Sequence, residues 1–466
     1  MTDWLVPATR RAGRLLGLFV GLILVFVLAM TAVYALPQVR IVENLQASMG
    51  TLDAEGLSPQ PLADSAGYTL YNYTDALMLD TSIVTRSGSP LLKAMADDHG
   101  EAGGIQTGGA SDLPGRLPMP VNTITALAAS AAGHRGPASA YAYYWHGYQV
   151  VLRPALLFFT YADIRWLNML GLALLSFIVL ITMDRFAGWE ATAAFFFSLV
   201  LVGSFVVPLS LAFSPDFYVM LTAMLAVLLL AKRECFCRVD MEIFLVAGML
   251  TAFLDLLTAP LLTLGMPLVV VFIMLGRSGR VQRFVRNVAL AIKLSAVWVL
   301  GYAAAWMAKW YIGSAVLHIN VAQMAWAEFL FRVGARQDFR PLQGLVANIV
   351  ILAQALLTGH PTRHGAVLLI PVLAVTVVAI WMLVRYRRPH EAVISTLPVL
   401  LVVPLPYLFF LVANQASVNN QSFGYRMQAM AVFAILYAVL ASIDWRAAIT
   451  RIRNAVSGYH SGSSGG

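Results

Sequence analysis

The chain has 466 residues, of which 59% are hydrophobic and 12% charged, with 31 Lys and Arg against 23 Asp and Glu for a formal charge of +8. A water-soluble fold of this length has too little interior for so much apolar surface, so lipid must cover the remainder and a cytosolic globular domain is excluded. The basic excess does not point to nucleic acid, because the basic residues sit in short clusters between apolar runs, as the positive-inside rule distributes them.

The first apolar run, roughly Leu15 to Leu36, follows Arg10, Arg11 and Arg14, which should hold its amino end in the cytoplasm. Ala-Val-Tyr-Ala before Leu36 looks like a cleavage site, but the run is longer than a typical signal-peptide core, so an uncleaved anchor is expected. From there the basic clusters serve as a ruler. Arg185, Lys232 to Arg238, Arg277 to Arg286, Arg385 to Arg388 and Arg446 to Arg453 should all be cytoplasmic, so each consecutive pair encloses an even number of crossings. Cys235 and Cys237 are too close together for an ordinary disulfide and too few for zinc, which leaves reduced thiols or a site of acylation.

The spans that satisfy this parity, after the first and 165–183, are a hairpin at 189–209 and 217–231 that turns at Ser214-Pro-Asp216, and two short spans within 238–277 broken near Asp255 and Pro260. Further spans lie at 287–312, 365–385, 393–413 and 427–444. Leu345 to Leu357 is apolar enough to cross, but an extra crossing would put Arg385 to Arg388 outside, so it reads as a membrane-surface or re-entrant helix. The expectation is an all-α polytopic membrane protein of about ten transmembrane helices, multi-pass in the cell membrane with both termini cytoplasmic. Its parts are 1–36 with the first span, a first outer loop at 37–164, six spans in 165–312, a second outer segment at 313–364, three spans in 365–444, and a tail at 445–466. The last six residues of that tail, Ser-Gly-Ser-Ser-Gly-Gly, look like an added linker.

Candidate chemistry is expected in the long outer segments. Asp97 to Ser111, rich in Gly and acidic residues, reads as a mobile loop with no catalytic role. Before it, Tyr68 to Asp80 carries an aromatic stretch into a helix-like run with Asp75 and Asp80. Asp75 either caps that helix or serves as a general base at the lipid-water boundary, with Asp80 as fallback; the two lie about 140° apart on a helix and should not act as one paired site. Tyr141 to Tyr148, with Tyr73, Trp145, His146 and Arg153, is either an interfacial aromatic belt or a surface for a sugar and a phosphate. Arg332, Arg336 and Arg340 form a stripe on the side that should be poor in arginine. They suit a phosphate-bearing lipid, or else pair with Glu328, Asp338 or anionic lipid. The loop Asn414 to Arg426 gathers amides beside an aromatic-Arg end, a composition suited to sugar hydroxyls and equally to an ordinary polar loop.

This layout of inner amino terminus, long first outer loop with an acid, many spans and a later basic outer segment resembles the C-type (GT-C) membrane glycosyltransferases, which use polyprenyl-phosphate sugar donors on the outer face. The resemblance covers most of the chain and rests on layout, not on a diagnostic string. It implies an inverting transfer to a glycan or glycolipid acceptor, with Asp75 as the base and Arg332, Arg336, Arg340 and Arg426 around the donor phosphate, while Tyr73, Trp145, His146, Arg153 and Asn414 contact substrate. It implies no cofactor; Asp75, Asp80 and His146 are metal ligands only if the donor is a diphosphate. The competing expectation is a lipid or glycan transporter or flippase. That reading is disfavoured because the span interiors look nearly uncharged and Lys293 is close enough to a cytoplasmic end to snorkel.

Overall fold

A computed structural model describes residues 5–59, 69–100, 123–133, 138–231, 236–277, 284–333, 342–357 and 377–462. The expected crossing at 365–385 falls largely outside the described residues, as do Arg336, Arg340, Cys235 and residues 101–111. Helices dominate; among the described residues the sheet is one antiparallel pairing of His99–Gly100 with Ala138–Ser139.

Helix α1 (Leu5–Tyr34) stops short of Pro37, whose fixed φ starts α2 (Gln38–Glu55). The rest of the first loop folds as α3 (Asn72–Ile83), α4 (Pro90–Ala96), α5 (Thr123–Ala131) and α6 (Gln149–Leu156). Helix α7 (Tyr161–Ala187) opens with a capping box between Thr160 and Asp163 and ends at Gly188, whose φ of 85° a side chain would resist. There follow α8 (Trp189–Leu201), a 3-10 turn at Ser204–Leu209, α9 (Ser214–Ala231), α10 (Phe236–Leu254), α11 (Leu262–Arg277), α12 (Phe284–Leu317), α13 (Val321–Arg332) and α14 (Gln343–Leu357). The 393–413 region is broken by prolines into Pro404–Val412 and shorter pieces, and the chain closes with helices Ala429–Ala441 and Trp445–Gly462.

Among the described residues five helices are long and apolar enough to cross a membrane: Arg10–Tyr34, Tyr161–Ala187, Ser214–Ala231, Phe284–Leu317 and His390–Val412. Four shorter apolar helices accompany them, Trp189–Leu201, Leu262–Arg277, Gln343–Gln354 and Tyr425–Ala441. On α7 the residues Trp166, Leu170, Leu174, Phe177 and Ile181 recur at helical spacing and are each more than half exposed, a continuous apolar stripe suited to lipid. This is an all-α membrane protein.

The two ends of the bundle differ in chemistry. At one end Arg11 and Lys293 share Asp240, Arg14 meets Glu242 at 3.4 Å, and Arg388 meets Glu190 at 2.9 Å. The first loop packs at the other end. There Gly147 donates to the Phe253 carbonyl at 2.7 Å, Trp145 to that of Ala305 at 2.8 Å, and Trp310 to that of Tyr143 at 3.0 Å. At about 51 Å, the 34 residues of α12 exceed a ~30 Å hydrocarbon core, so this helix carries Trp306, Lys309 and Trp310 up into the loop. Helices α10 and α12 approach each other through glycine: a Cβ on Gly248 would lie 2.2 Å from the Trp298 carbonyl oxygen, and one on Gly301 2.4 Å from that of Leu245.

The expectation of a mobile loop fails for its first residues. Asp97 and Asp98 are buried because each finds a cation: Lys309 Nζ lies 3.0 Å from Asp97, and Arg86 forks onto Asp98 at 2.6 Å and 2.9 Å. Burial pushes the Asp97 carboxyl up to about 6, against the pull of Lys309 and of the Tyr34 hydroxyl. Lys309, within the apolar length of α12, is fully buried by the same pairing.

Candidate functional site

Asp75 sits in the first turn of α3 and is completely buried. One carboxylate oxygen accepts from Ser210 Oγ at 3.1 Å and the Ala212 amide at 2.9 Å; the other accepts from Tyr161 hydroxyl at 2.8 Å and the Leu211 amide at 3.0 Å. Four donors fill the four lone-pair positions of a carboxylate, so the group binds the first loop to the turn before α9 and to the start of α7. Burial raises its proton affinity, and those hydrogen bonds oppose the rise. Asp80 points elsewhere, as the helical angle requires. It accepts from the Gly100 amide at 2.8 Å, while its buried Oδ1 has no hydrogen-bond partner among the described residues.

The aromatic segment after residue 140 is packed inward. Trp145 is wedged edge-on against Phe26 and Phe253. His146 adopts φ 52° and is flanked by the Tyr148 hydroxyl, 2.9 Å from Nδ1, and the Tyr141 carbonyl, 3.0 Å from Nε2. A carbonyl only accepts, so Nε2 carries the hydrogen and Nδ1 accepts from tyrosine. Burial brings this imidazole down to about 3, and it is neutral at pH 7. Asp75, Asp80 and His146 therefore do not converge, and among the described residues no group of three or more such side chains is gathered for a metal. Arg153, also fully buried, donates to the Val33 carbonyl at 2.9 Å and to that of Ser82, with its guanidinium 4.4 Å above the Tyr34 ring. It fastens α6 to the end of α1.

Other predicted residues border one region. Tyr73 lies 5.6 Å from Tyr71 between ring centroids, Tyr71 5.6 Å from Phe423, and Phe423 4.8 Å from Phe213. The guanidinium of Arg426 lies 5.5 Å from the Phe213 ring and 4.9 Å from that of Tyr425. Arg332 is paired with Glu328 at 2.6 Å, and its charge reaches Tyr71, Tyr73, Tyr141 and Tyr144. Asn414 accepts from the Gly344 amide at 2.6 Å, joining the late loop to α14.

A narrow pocket opens here, lined by Val207, Phe213, Phe217, Thr258, Ala259, Phe423 and Arg426. No family model, curated protein or solved structure matches the chain. The pocket's chemistry must therefore be read from its own residues.

Behind its Thr258 wall lie two carboxyls read from the sequence only as turn residues, Asp216 in the first turn of α9 and Asp255 between α10 and α11. Both are at least 95% buried. Thr258 Oγ lies 2.7 Å from Asp216 Oδ2 and also contacts Asp255 Oδ1; the Ala259 and Thr258 amides donate to the same two oxygens at 2.8 Å each. The remaining oxygens, Asp216 Oδ1 and Asp255 Oδ2, and the buried hydroxyl of Tyr144 nearby have no hydrogen-bond partner among the described residues. Each such atom costs about 1–3 kcal/mol when unsatisfied, so the cluster calls for an explanation. A signal for this cluster was present in the sequence: parity places both hairpin turns on one face, and each turn carries an Asp.

Proposed function

We propose that the chain is a membrane glycosyltransferase with the C-type layout of about ten spans and cytoplasmic termini, moving a sugar from a polyprenyl-phosphate donor to a glycan or glycolipid acceptor on the non-cytoplasmic face of the cell membrane. The observation that carries this reading is the pocket at Arg426, where aromatic walls from Phe213, Phe217 and Phe423 meet a buried guanidinium at the loop-bearing end of the bundle. The resting pocket has room for about one water, so its apolar walls would part to admit an isoprenoid chain, and the charge of Arg426, whose Nε and Nη2 each donate to the Gly203 carbonyl at 3.4 Å, would neutralise a monophosphate leaving group without a metal. Arg332 supplies a second cation toward Tyr73 and Tyr71, in the aromatic stretch that would stack on a sugar ring. Asp75, with both carboxylate oxygens bonded to the bundle, seats the helix whose leading Tyr71 packs beside Phe423 of this pocket.

The direct test is binding of a short polyprenyl monophosphate to the purified protein in micelles, read as a rise in melting temperature, beside the corresponding polyprenol without phosphate. The phosphate should stabilise the parent protein and not Arg426→Gln, whereas the alcohol should stabilise neither. Transfer of labelled sugar from polyprenyl-phosphate donors in proteoliposomes should fall with the same variant. Equal stabilisation of parent and Arg426→Gln, or none of the parent, removes the reading.

A further inference from the structure

We propose that Asp216 and Asp255 form a proton-sharing carboxyl pair that acts as the acid–base group of the pocket, receiving the proton of an incoming hydroxyl. The proposal rests on the transferase reading for its substrate, but the pairing itself follows from counting protons. Thr258 Oγ carries one hydrogen and contacts a carboxyl oxygen on each side. It can donate in one contact only. In the other it must accept, and the donor there is a protonated carboxyl; with both acids ionised, one oxygen-oxygen contact would hold no hydrogen at all. Two buried carboxylates bridged by a single hydroxyl, out of water, do not ionise together.

The surroundings reinforce the sharing. Among the described residues no basic side chain forms an ion pair with either acid, so no fixed cation stabilises the doubly ionised state. The titratable groups facing the pair are Tyr144 from the aromatic segment and Tyr302 from α12, with Arg426 across the pocket and Arg332 beyond Tyr144. Among the described residues one oxygen of each acid remains without a partner, and Thr258 and Ala259, which hold the other two oxygens, form the pocket wall shared with Arg426.

The step balances as a single displacement. The acceptor oxygen forms a bond to the anomeric carbon, and the bond from that carbon to the phosphate oxygen breaks, with its electron pair leaving on polyprenyl phosphate. The acceptor's proton moves to the ionised member of the pair, which returns it to water after the products depart. The ionised member of the Asp216–Asp255 pair is then the general base, and Thr258 is a positioning residue.

Infrared spectroscopy of the protein in lipid at pH 7 tests the pairing without any substrate. A protonated-carboxyl stretch should be present in the parent and reduced in both Asp216→Asn and Asp255→Asn. Absence of any such band in the parent between pH 6 and 8 overturns the proposal, even if the variants fail to fold. The chemistry is tested with the same two variants in proteoliposomes: binding of polyprenyl monophosphate should persist while sugar transfer falls by about 100-fold or more. Parent protein that binds no polyprenyl phosphate defeats the transferase reading; variants that bind it and still transfer at the parent rate defeat the acid pair alone.

Discussion

Replacing Lys309 by Met should be among the most damaging single changes in the protein, at about 3–5 kcal/mol. The ammonium has three hydrogens and uses all of them: Asp97 Oδ2 at 3.0 Å and the Ala94 and Met95 carbonyls at 3.2 Å each, with neither charged side chain exposed to solvent. Met fills the volume but donates nothing, so two carbonyls at the end of α4 lose their side-chain donor and Asp97 keeps only the Tyr34 hydroxyl, 2.8 Å away. Asp97, already pushed up to about 6 beside the lysine, would then take up a proton near neutrality, which limits the penalty to that range. An SDS titration of the micelle-bound protein, followed by tryptophan fluorescence, measures the loss. The loss should grow from pH 6 to 8 as ionised Asp97 becomes harder to accommodate, and Lys309→Met/Asp97→Asn should regain at least half of it. A single variant as stable as the parent, or a double variant no better than the single, would refute the account of a buried pair.

Asp75→Asn should destabilise the protein by about 2–4 kcal/mol, because the amide nitrogen would face donors where the carboxylate accepted four hydrogen bonds; a melting curve like the parent's counts against the anchoring role. Gly248→Val and Gly301→Val should each lower folded yield and melting temperature, since a Cβ would meet facing backbone at 2.2 Å or 2.4 Å; substitution at Gly21, which has open space around it, is the control. The pH dependence divides between two groups. His146, brought down to about 3, contributes stability that is present above the free imidazole range and is lost as pH falls toward 3. Asp97, raised to about 6, contributes stability that is present below the ordinary carboxylate range and is lost as pH rises through 6. His146→Gln should therefore flatten the acid limb of a stability-pH curve and Asp97→Asn the limb near pH 6; unchanged limbs would show that neither group is held as described.

The membrane character and the helical breaks were legible in the sequence because hydropathy, proline and glycine act locally, over a few residues at a time. The apolar runs became helices with lipid-suited faces, the 238–277 stretch split where Asp255 and Pro260 predict, and the helical angle that separates Asp75 from Asp80 sent them to different partners. What a carboxylate or an arginine faces is a different kind of fact. Asp75 reads alike as base or cap until Ser210 to Ala212 arrive from more than a hundred residues away, and Arg153 reads as a phosphate ligand until two carbonyls occupy it. The same holds for Lys309 with Asp97 and for Asp216 with Asp255. Each pair is separated widely in sequence and joined only when helices pack, and it is burial beside one particular partner that fixes charge state and hydrogen-bond capacity. The sequence by itself determined that this chain lives in lipid and where its helices break; tertiary packing decided which partners each of its acids meets, because those partners come from distant parts of the chain.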